Sequence, residues 1–490
     1  MKKSVVAVGV LVALGAVWAG GAWYTGKTAE EQLQSQINHI NQKFAFFLGN
    51  SGDELKIDNV KFNRGFFSSD LNYDLVITAG AQKQTYSVPF GGKVHHGPLP
   101  LNQVSAFNFA PAVFSADIAL VKNEKTQNWF AKSGKNPIQA VVAMSYAKQF
   151  TGELNSEVDT VIDDGNISWK FATEFDVNQD GIGRFESVMP HFKIMPPKGY
   201  SGNSQDEIEN MVMTFTDGKG SADFKQASAE LNKTYVGKYH SQIGKMQMTG
   251  KKNGEDILLE IDNFTLDLEG KLADKFVDYG LTYKIGGLKA NGDGANNFNL
   301  GELVFNLQLN HLDAKSVNTV FDEISKLEPN SQAAMPKAVE EAFQEMLKNQ
   351  PQFKISPLSL TNPNGKMAAD LNITLANADF AAAFAGNVVQ LFKEFNVNIN
   401  VDKPAVTHLT STVLQSSMNL SKEEADKAAA EQLEQALQQL RDNQVILEDD
   451  KTVKFGLNLE EKGFNFNGRV LTNEEVQAAV LGAIMMFGMH

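Results

Sequence analysis

The residues from Gly21 to Thr28 match the spacing of a nucleotide-binding P-loop. In such a loop, glycines let the backbone wrap phosphates and a lysine neutralises their charge. That chemistry needs a short buried strand before the loop, but here a long apolar run precedes it, and bulky Trp23 and Tyr24 occupy the wrapping positions. No alternating strand and helix pattern follows. We therefore interpret the match as unrelated to nucleotide binding.

A second candidate is the acidic run from Asp176 to Gly181, which resembles the start of a calcium-binding loop. An EF-hand loop places a bidentate glutamate at its twelfth position and has helices on both sides. Here that position is Ser187, Glu186 comes one place early, and the flanking segments read as strands. The pattern predicts a hairpin turn rather than a calcium site.

The remaining reactive residues give no catalytic signature. His95 and His96 are adjacent, so in a strand they face opposite sides and cannot both ligate one metal ion. The chain has no cysteine, which excludes thiolate nucleophiles, cysteine zinc sites and disulfides. No G-x-S-x-G motif occurs either. We expect no cofactor, no metal and no enzymatic activity, with a hydrolase lacking a recognisable motif as the least favoured alternative.

Composition narrows the class of protein. The chain has 490 residues and a formal net charge of −14, with scattered lysines and arginines. Binding to nucleic acid requires a basic patch, so this balance argues against it. The absence of cysteine fits an oxidising compartment such as the periplasm.

The N-terminus predicts a membrane anchor in residues 5–24, an apolar run without charge that is long enough to span a bilayer. Lys2 and Lys3 precede the run, so the positive-inside rule places the N-terminus in the cytoplasm and the rest in the periplasm of a bacterial inner membrane. The residues that we assign to the anchor are Val5, Leu11, Leu14, Trp18, Trp23 and Tyr24. The alternative is a signal peptide cleaved after Ala19 or Ala22.

We divide the chain into residues 1–26 (cytoplasmic end and anchor), 27–49 (amphipathic linker helix), 50–312 (β-rich region) and 313–490 (mixed region). In the linker, Thr28 and Glu31 form a capping box and an apolar stripe includes Leu33 and Ile37. This helix either packs on the body or pairs in a dimer.

The fold class is α+β, with a long antiparallel meander or curved sheet followed by helices in the C-terminal 180 residues. Apolar residues alternate with polar ones along the β-rich region, which predicts a sheet with one apolar and one wet face. Asn253-Gly254 is one of several hairpin signals. The alternation changes phase at Asp262-Asn263, which suggests a bulge. Helices are predicted over residues 314–327, 338–348, 380–395, 421–441 and 472–486, and hairpins over 353–375 and 453–466. Ser421 with Glu424 and Thr472 with Glu475 are predicted to cap the last two helices.

Three segments resemble one family: residues 20–27 (GGAWYTGK), 62–69 (FNRGFFSS) and 94–100 (VHHGPLP). The sequence resembles the YdgA-like family of bacterial inner-membrane proteins, whose domain has no known function. The resemblance covers the whole chain and implies an N-terminal anchor and a periplasmic body, without functional residues to carry over. Within the second segment we expect Gly65 at positive φ, Phe66 and Phe67 anchoring the next strand, and Arg64 paired with a carboxylate.

The chain contains 33 phenylalanines. They fit either an ordinary core of β-strands or an apolar groove for acyl chains on a curved sheet. We therefore expect a binding protein that handles a hydrophobic ligand such as lipid, or another envelope component. The alternative is an oligomeric scaffold that binds envelope proteins through the helix at residues 421–441.

Overall fold

The structure is a computed structural model of the full chain. It describes scattered residues between 22 and 45, then residues 54–79, 84–130, 135–162, 165–178, 182–196, 208–292, 295–326, 336–377, 388–418, 420–476 and 478. The described residues between 22 and 45 are helical, and we call them the N-terminal helix. The chain divides into two compact units, residues 1–221 and 222–490.

The first unit contains an antiparallel meander, because each strand pairs with the next along the chain. Its strands are β1 (Glu54–Arg64), β2 (Ser68–Ala79), β3 (Gln84–His96), β4 (Ala112–Leu120), β5 (Ile138–Ser145), β6 (Gln149–Ile162), β7 (Gly165–Asn178) and β8 (Gly183–Met195). A short helix, α1 (Leu101–Ser105), connects β3 to β4, and a 3-10 turn spans Gln127–Phe130. Asp176 and Asn178 of the acidic run lie at the end of β7, which pairs with β8 from Gly183 onward, as the predicted hairpin requires.

The N-terminal helix covers part of this meander. Leu71, Val94 and Ala116 are buried at the centre of a hydrophobic cluster, and Leu33 of the helix packs against it. Ile37, one turn further on, is also buried. Of the two arrangements that the sequence allowed for this helix, the structure shows packing on the body.

The second unit is a larger antiparallel sheet. The division between the units falls within β9 (Glu209–Gln226). The strands that follow are β10 (Tyr235–Lys252), β11 (Glu255–Ala273), β12 (Phe276–Ile285), β13 (Gly287–Gly292), β14 (Ala295–Asn299), β15 (Glu302–Asp313), β16 (Gln352–Asn362), β17 (Gly365–Leu375), β18 (Phe392–Asp402), β19 (Leu447–Glu448), β20 (Thr452–Glu460), β21 (Gly463–Phe466) and β22 (Arg469–Val470). From β12 the pairing runs through β15, β16, β17 and β18 to β20. The predicted antiparallel β-rich body is confirmed.

Local backbone features agree with the turn and bulge predictions. Asn253 and Gly254, between β10 and β11, both have positive φ, at 55° and 84°, as a two-residue hairpin turn of mirror-image type requires. Asn263 has φ of 50° within β11. A left-handed residue interrupts the regular alternation of a strand, which explains the change of phase seen in the sequence.

In the described part of the second unit, the helices with defined bounds are α2 (Ala314–Ile324), α3 (Lys337–Lys348), α4 (Lys403–Met418) and α5 (Lys422–Asp442), with a 3-10 turn at Val388–Leu391. Residues 473–476 are also helical, at the start of the last predicted helix. The predicted capping box of α5 is present: Ser421 accepts a hydrogen bond from the Glu424 backbone, and the Glu424 side chain accepts one from Ser421. The helix predicted up to residue 395 is wrong at its end, because β18 begins at Phe392. Helix α4 was not predicted. The predicted helices at 380–387 and beyond residue 478 lie outside the described residues.

Candidate functional site

The anchor residues assigned from the sequence (Val5, Leu11, Leu14, Trp18, Trp23 and Tyr24) lie outside the described residues. Within the described part of the chain, no helix combines the length and the apolar character needed to cross a bilayer. The first two described residues, Ala22 and Thr25, are both buried.

The three segments that carry the family resemblance meet at one end of the first unit's sheet. The first segment enters the N-terminal helix, the second contains the turn between β1 and β2, and the third ends β3. His96, from the third segment, contacts both of the others. We call the set of Gly26, Arg64, Ser69 and His96 the motif cluster.

His96 is the centre of the motif cluster and is only 2% exposed. Its Nδ1 lies 3.1 Å from the carbonyl oxygen of Phe66, and its Nε2 lies 2.7 Å from Oγ of Ser69. A carbonyl only accepts hydrogen bonds, so Nδ1 carries the proton. In the neutral ring Nε2 is then the acceptor, and the Ser69 hydroxyl donates to it. Ser69 has no exposed surface.

The N-terminal helix closes over this pair. A Cβ atom placed on Gly26 would lie 2.4 Å from Cε1 and from Nδ1 of His96. Arg64 holds the same helix through an ion pair between its Nε and Oε2 of Glu30, at 2.9 Å. The predicted pairing of Arg64 with a carboxylate is therefore confirmed.

Two expectations for this turn are wrong. Gly65 is absent from the described residues with positive φ. Glycine is needed there because a Cβ would lie 2.4 Å from the carbonyl oxygen of Ser68, which also accepts the Gly65 amide at 3.0 Å. Phe66 does not anchor the next strand, since 51% of it is exposed.

The arrangement of Ser69 and His96 has the hydrogen-bond order of a serine nucleophile with its general base. A nucleophile must reach its substrate, however, and Gly26 lies directly over the His96 ring. Because Ser69 is fully covered, we interpret this geometry as structural: the hydrogen-bonded pair of Ser69 and His96 packs against Gly26 and fixes the N-terminal helix on the sheet.

The electrostatics of His96 lead to a pH prediction. Burial lowers the pKa of His96, and the charges of Arg64 and His95 act in the same direction, against the carbonyls of Phe66 and Ala22. In the unfolded chain His96 titrates at about pH 6.5. Because its pKa is lower in the folded state, the stability that neutral His96 contributes is fully present above that pH and is lost as the pH falls through the pKa of the folded state.

We expect urea unfolding to show this loss between about pH 7.5 and pH 5, with a smaller loss in the variant His96→Gln. Glutamine keeps a donor and an acceptor but does not titrate, and every other ionisable group is common to both proteins. Equal pH dependence of the two proteins would contradict the assignment.

His95 has different partners from His96. Its Nε2 lies 3.2 Å from Oδ2 of Asp117, and Nδ2 of Asn102 donates to the same carboxylate. These bonds tie α1 to β4. Among the described residues, no group of three or more metal-ligating side chains is placed to hold a metal ion.

A second feature lies in the second unit, where apolar side chains form two parallel rows across six strands. Residues opposite each other in neighbouring strands share a face of the sheet, as do residues two apart in one strand. The first row is Leu268, Leu281, Leu307, Ile355, Leu371 and Val397, and the second is Leu266, Tyr283, Phe305, Leu358, Ala369 and Ile399. We call both together the apolar rows.

The described helices and turns cover only part of this face. Val277 is buried with Ala314 and Val317 of α2, and Phe395 packs against Val388 and Leu391. None of the residues in the apolar rows is buried. The most exposed members are Leu358 (42%) and Leu268 (38%). A contiguous apolar surface of this kind marks an interaction site in a soluble domain.

The opposite face of the same strands is polar. Asn372, Asn396 and Asn398 alternate with the members of the apolar rows in β17 and β18. Asn398 and Asn458 exchange amide hydrogen bonds of 3.2 Å across the strands. The predicted sheet with one apolar and one wet face is therefore present in this unit.

Comparison with known proteins finds relatives along the whole chain. A family described as "Bacterial protein of unknown function (DUF945)" matches residues 1–474. An uncharacterized protein of Haemophilus influenzae is 29% identical over 66% of this chain and 86% of its own length. In Escherichia coli K12, protein YdgA is 24% identical over 97% of this chain and 96% of its own. The uncharacterized protein YihF of the same organism is 26% identical over 97% and 98%. No solved structure matches.

Proposed function

This chain belongs to the DUF945 family of bacterial proteins of unknown function, and from that premise we propose that it is a non-enzymatic, membrane-anchored protein that binds acyl chains on the apolar rows. The anchor is the apolar run at residues 5–24, with the N-terminus in the cytoplasm and the body in the periplasm. The partly exposed apolar rows are the observation that carries the ligand assignment.

The dimensions of the rows suit an acyl chain. Neighbouring strands lie about 4.8 Å apart, so a row that crosses six strands is about 24 Å long. One leaflet of a bilayer core is about 15 Å deep, which is the reach of one acyl chain. A single chain laid along a row would contact leucine, isoleucine and valine side chains throughout and would remove them from water.

The rows have no charge or hydrogen-bonding group except the Tyr283 hydroxyl, so they select for apolar length rather than for a particular headgroup. This supports a ligand class defined by its acyl chains. A polar metabolite would leave its donors and acceptors unpaired on this surface, at a cost of about 1–3 kcal/mol each.

Photo-crosslinking in cells tests this proposal. We replace Leu281 or Leu307, which are opposite each other in the first row, with p-benzoylphenylalanine in the full chain. Matched controls place the same residue at Thr282 or Asn306, which are opposite each other on the polar face of the same two strands. After irradiation and proteolysis, mass spectrometry should find phospholipid adducts at the first pair and about tenfold fewer at the second.

Equal adducts at both pairs would contradict acyl binding on the rows. Crosslinks from Leu281 and Leu307 to a polypeptide instead of lipid would replace the proposal by the scaffold alternative. We expect the fold to tolerate all four substitutions, because the replaced side chains are partly exposed to water.

A further inference from the structure

The end of the first unit's sheet that holds the motif cluster also exposes aromatic side chains. These are Phe107 (85% exposed), Phe109 (60%), Tyr146 (54%) and Phe66 (51%), and we call them the aromatic end. Large apolar side chains exposed to this degree on neighbouring loops mark a contact surface.

The register of the strands shows that these residues share one end. Phe66 lies in the turn between β1 and β2, and its carbonyl accepts from His96 at the end of β3. Phe107 and Phe109 lie in the connection from β3 to β4. Ala112, at the start of β4, pairs with Ser145 at the end of β5, and Tyr146 follows directly.

Two connections at the aromatic end differ in charge from a connection at the other end of the meander. The connection at residues 97–111 and the turn at residues 65–67 contain no charged residue. The connection from β4 to β5, at the other end, contains Lys122, Glu124, Lys125, Lys132 and Lys135. Charged residues at the aromatic end lie in the later turns, with Lys148 two residues after Tyr146 and the acidic run at residues 176–181 at the junction of β7 and β8. The uncharged aromatic loops at residues 65–67 and 97–111 are therefore the part of this end that suits the interfacial layer of a bilayer.

The apolar run of the N-terminus arrives at this same end. It stops at Tyr24, and the next residue, Thr25, places its Oγ1 3.3 Å from the carbonyl oxygen of Gly97. Gly26 then packs on His96. A chain that leaves the bilayer at Tyr24 therefore meets the aromatic end within two residues.

We propose that the aromatic end rests on the phospholipid bilayer, with Phe66, Phe107, Phe109 and Tyr146 in the headgroup layer. That layer is about 5–8 Å thick on each side of the hydrocarbon core, a depth that aromatic rings on loops can enter. The sheet is then held upright on the membrane, with the motif cluster fixing its orientation to the anchor. This inference rests on the proposed anchor but not on acyl binding by the apolar rows.

Single-cysteine labelling of the full chain tests it, because the natural chain has no cysteine. Phe107→Cys and Phe109→Cys place an environment-sensitive NBD fluorophore at the aromatic end. Val161→Cys is the control: it is 58% exposed and lies on β6 about 40 Å from Gln149, at the other end of the sheet. The proteins are reconstituted into phosphatidylethanolamine and phosphatidylglycerol vesicles with or without headgroup-proximal spin-labelled lipid.

We expect the label at residues 107 and 109 to be quenched about threefold more than the label at 161, with blue-shifted emission. Protein that floats with the vesicles but shows equal quenching at all positions overturns the contact surface and leaves the anchor standing. Blue-shifted emission at 107 without quenching by spin-labelled lipid also overturns it, since a protein then covers the site. Protein that does not float overturns both the anchor and the surface.

Discussion

Replacing His96 with alanine is expected to lower the free energy of unfolding by about 3–5 kcal/mol. The substitution removes a ring that is 2% exposed and leaves the fully buried Ser69 hydroxyl and the Phe66 carbonyl without their partner. An unpaired buried polar group costs about 1–3 kcal/mol, and the cavity adds to that. The loss should concentrate in the contact between the N-terminal helix and the sheet.

Urea unfolding followed by tryptophan fluorescence measures this effect, because Trp129 and Trp169 both lie in the first unit and their rings are 6.0 Å apart. His191→Ala in β8 of the same unit is the matched control. His191 is exposed, so its removal should change stability by less than about 0.5 kcal/mol. Limited proteolysis should also cleave the N-terminal helix faster in His96→Ala than in the control. A loss no larger than that of the control would contradict the central role of His96.

Local signals in the sequence predicted the parts of the fold that depend on neighbouring residues. The Asn253-Gly254 turn requires only two adjacent residues that accept positive φ. The caps at Ser421 and Thr472 each need a partner only three residues away, and both reciprocal bonds are present. The family resemblance, carried by three short segments, is also confirmed by the match over residues 1–474.

Helix α4 could not be predicted in this way. Its sequence from Lys403 to Met418 is rich in threonine, serine and valine, which have modest helix propensity. Thr407 and Thr412 bond only within the helix, to the carbonyls four residues before them, and such bonds do not favour a helix. The bonds to other elements include those from Asn362 of β16 to the carbonyl of Ala405 and from Ser411 to Asp426 of α5. Tertiary contacts therefore stabilise a helix that its own residues favour only weakly.

The motif cluster was missed for a different reason. Ser69 and His96 are 27 residues apart and meet only because β2 and β3 pair in one register. Gly65 looked like a turn glycine, whereas the requirement is a close backbone approach that only coordinates reveal. The one available signal was that three short segments, far apart in the chain, together carried the family resemblance.

Gly26→Ala provides the sharpest test of how the cluster works, because its expected sign is opposite to the usual one. In a helix, alanine is normally more stable than glycine by about 1 kcal/mol. Here the added Cβ would lie 2.4 Å from two atoms of the His96 ring, which hydrogen bonds on both sides hold in place. Overpacking of a fixed contact costs about 1–3 kcal/mol, so we expect a net loss of about 2 kcal/mol in urea unfolding.

A double-mutant cycle separates this clash from other effects of the substitution. In a His96→Ala background the ring is gone, so Gly26→Ala should regain its normal helix-stabilising effect, and the two changes should be coupled by about 2–3 kcal/mol. Gly280→Ala in β12, where an added Cβ meets nothing within 4 Å, should raise stability by about 0.5–1 kcal/mol. Additive losses from Gly26→Ala and His96→Ala would mean that the helix is held elsewhere. Strong coupling would identify the contact between Gly26 and His96 as the point where the N-terminal helix is fixed to the sheet. It would also explain why Gly26 and His96 lie in two of the three segments that carry the family resemblance.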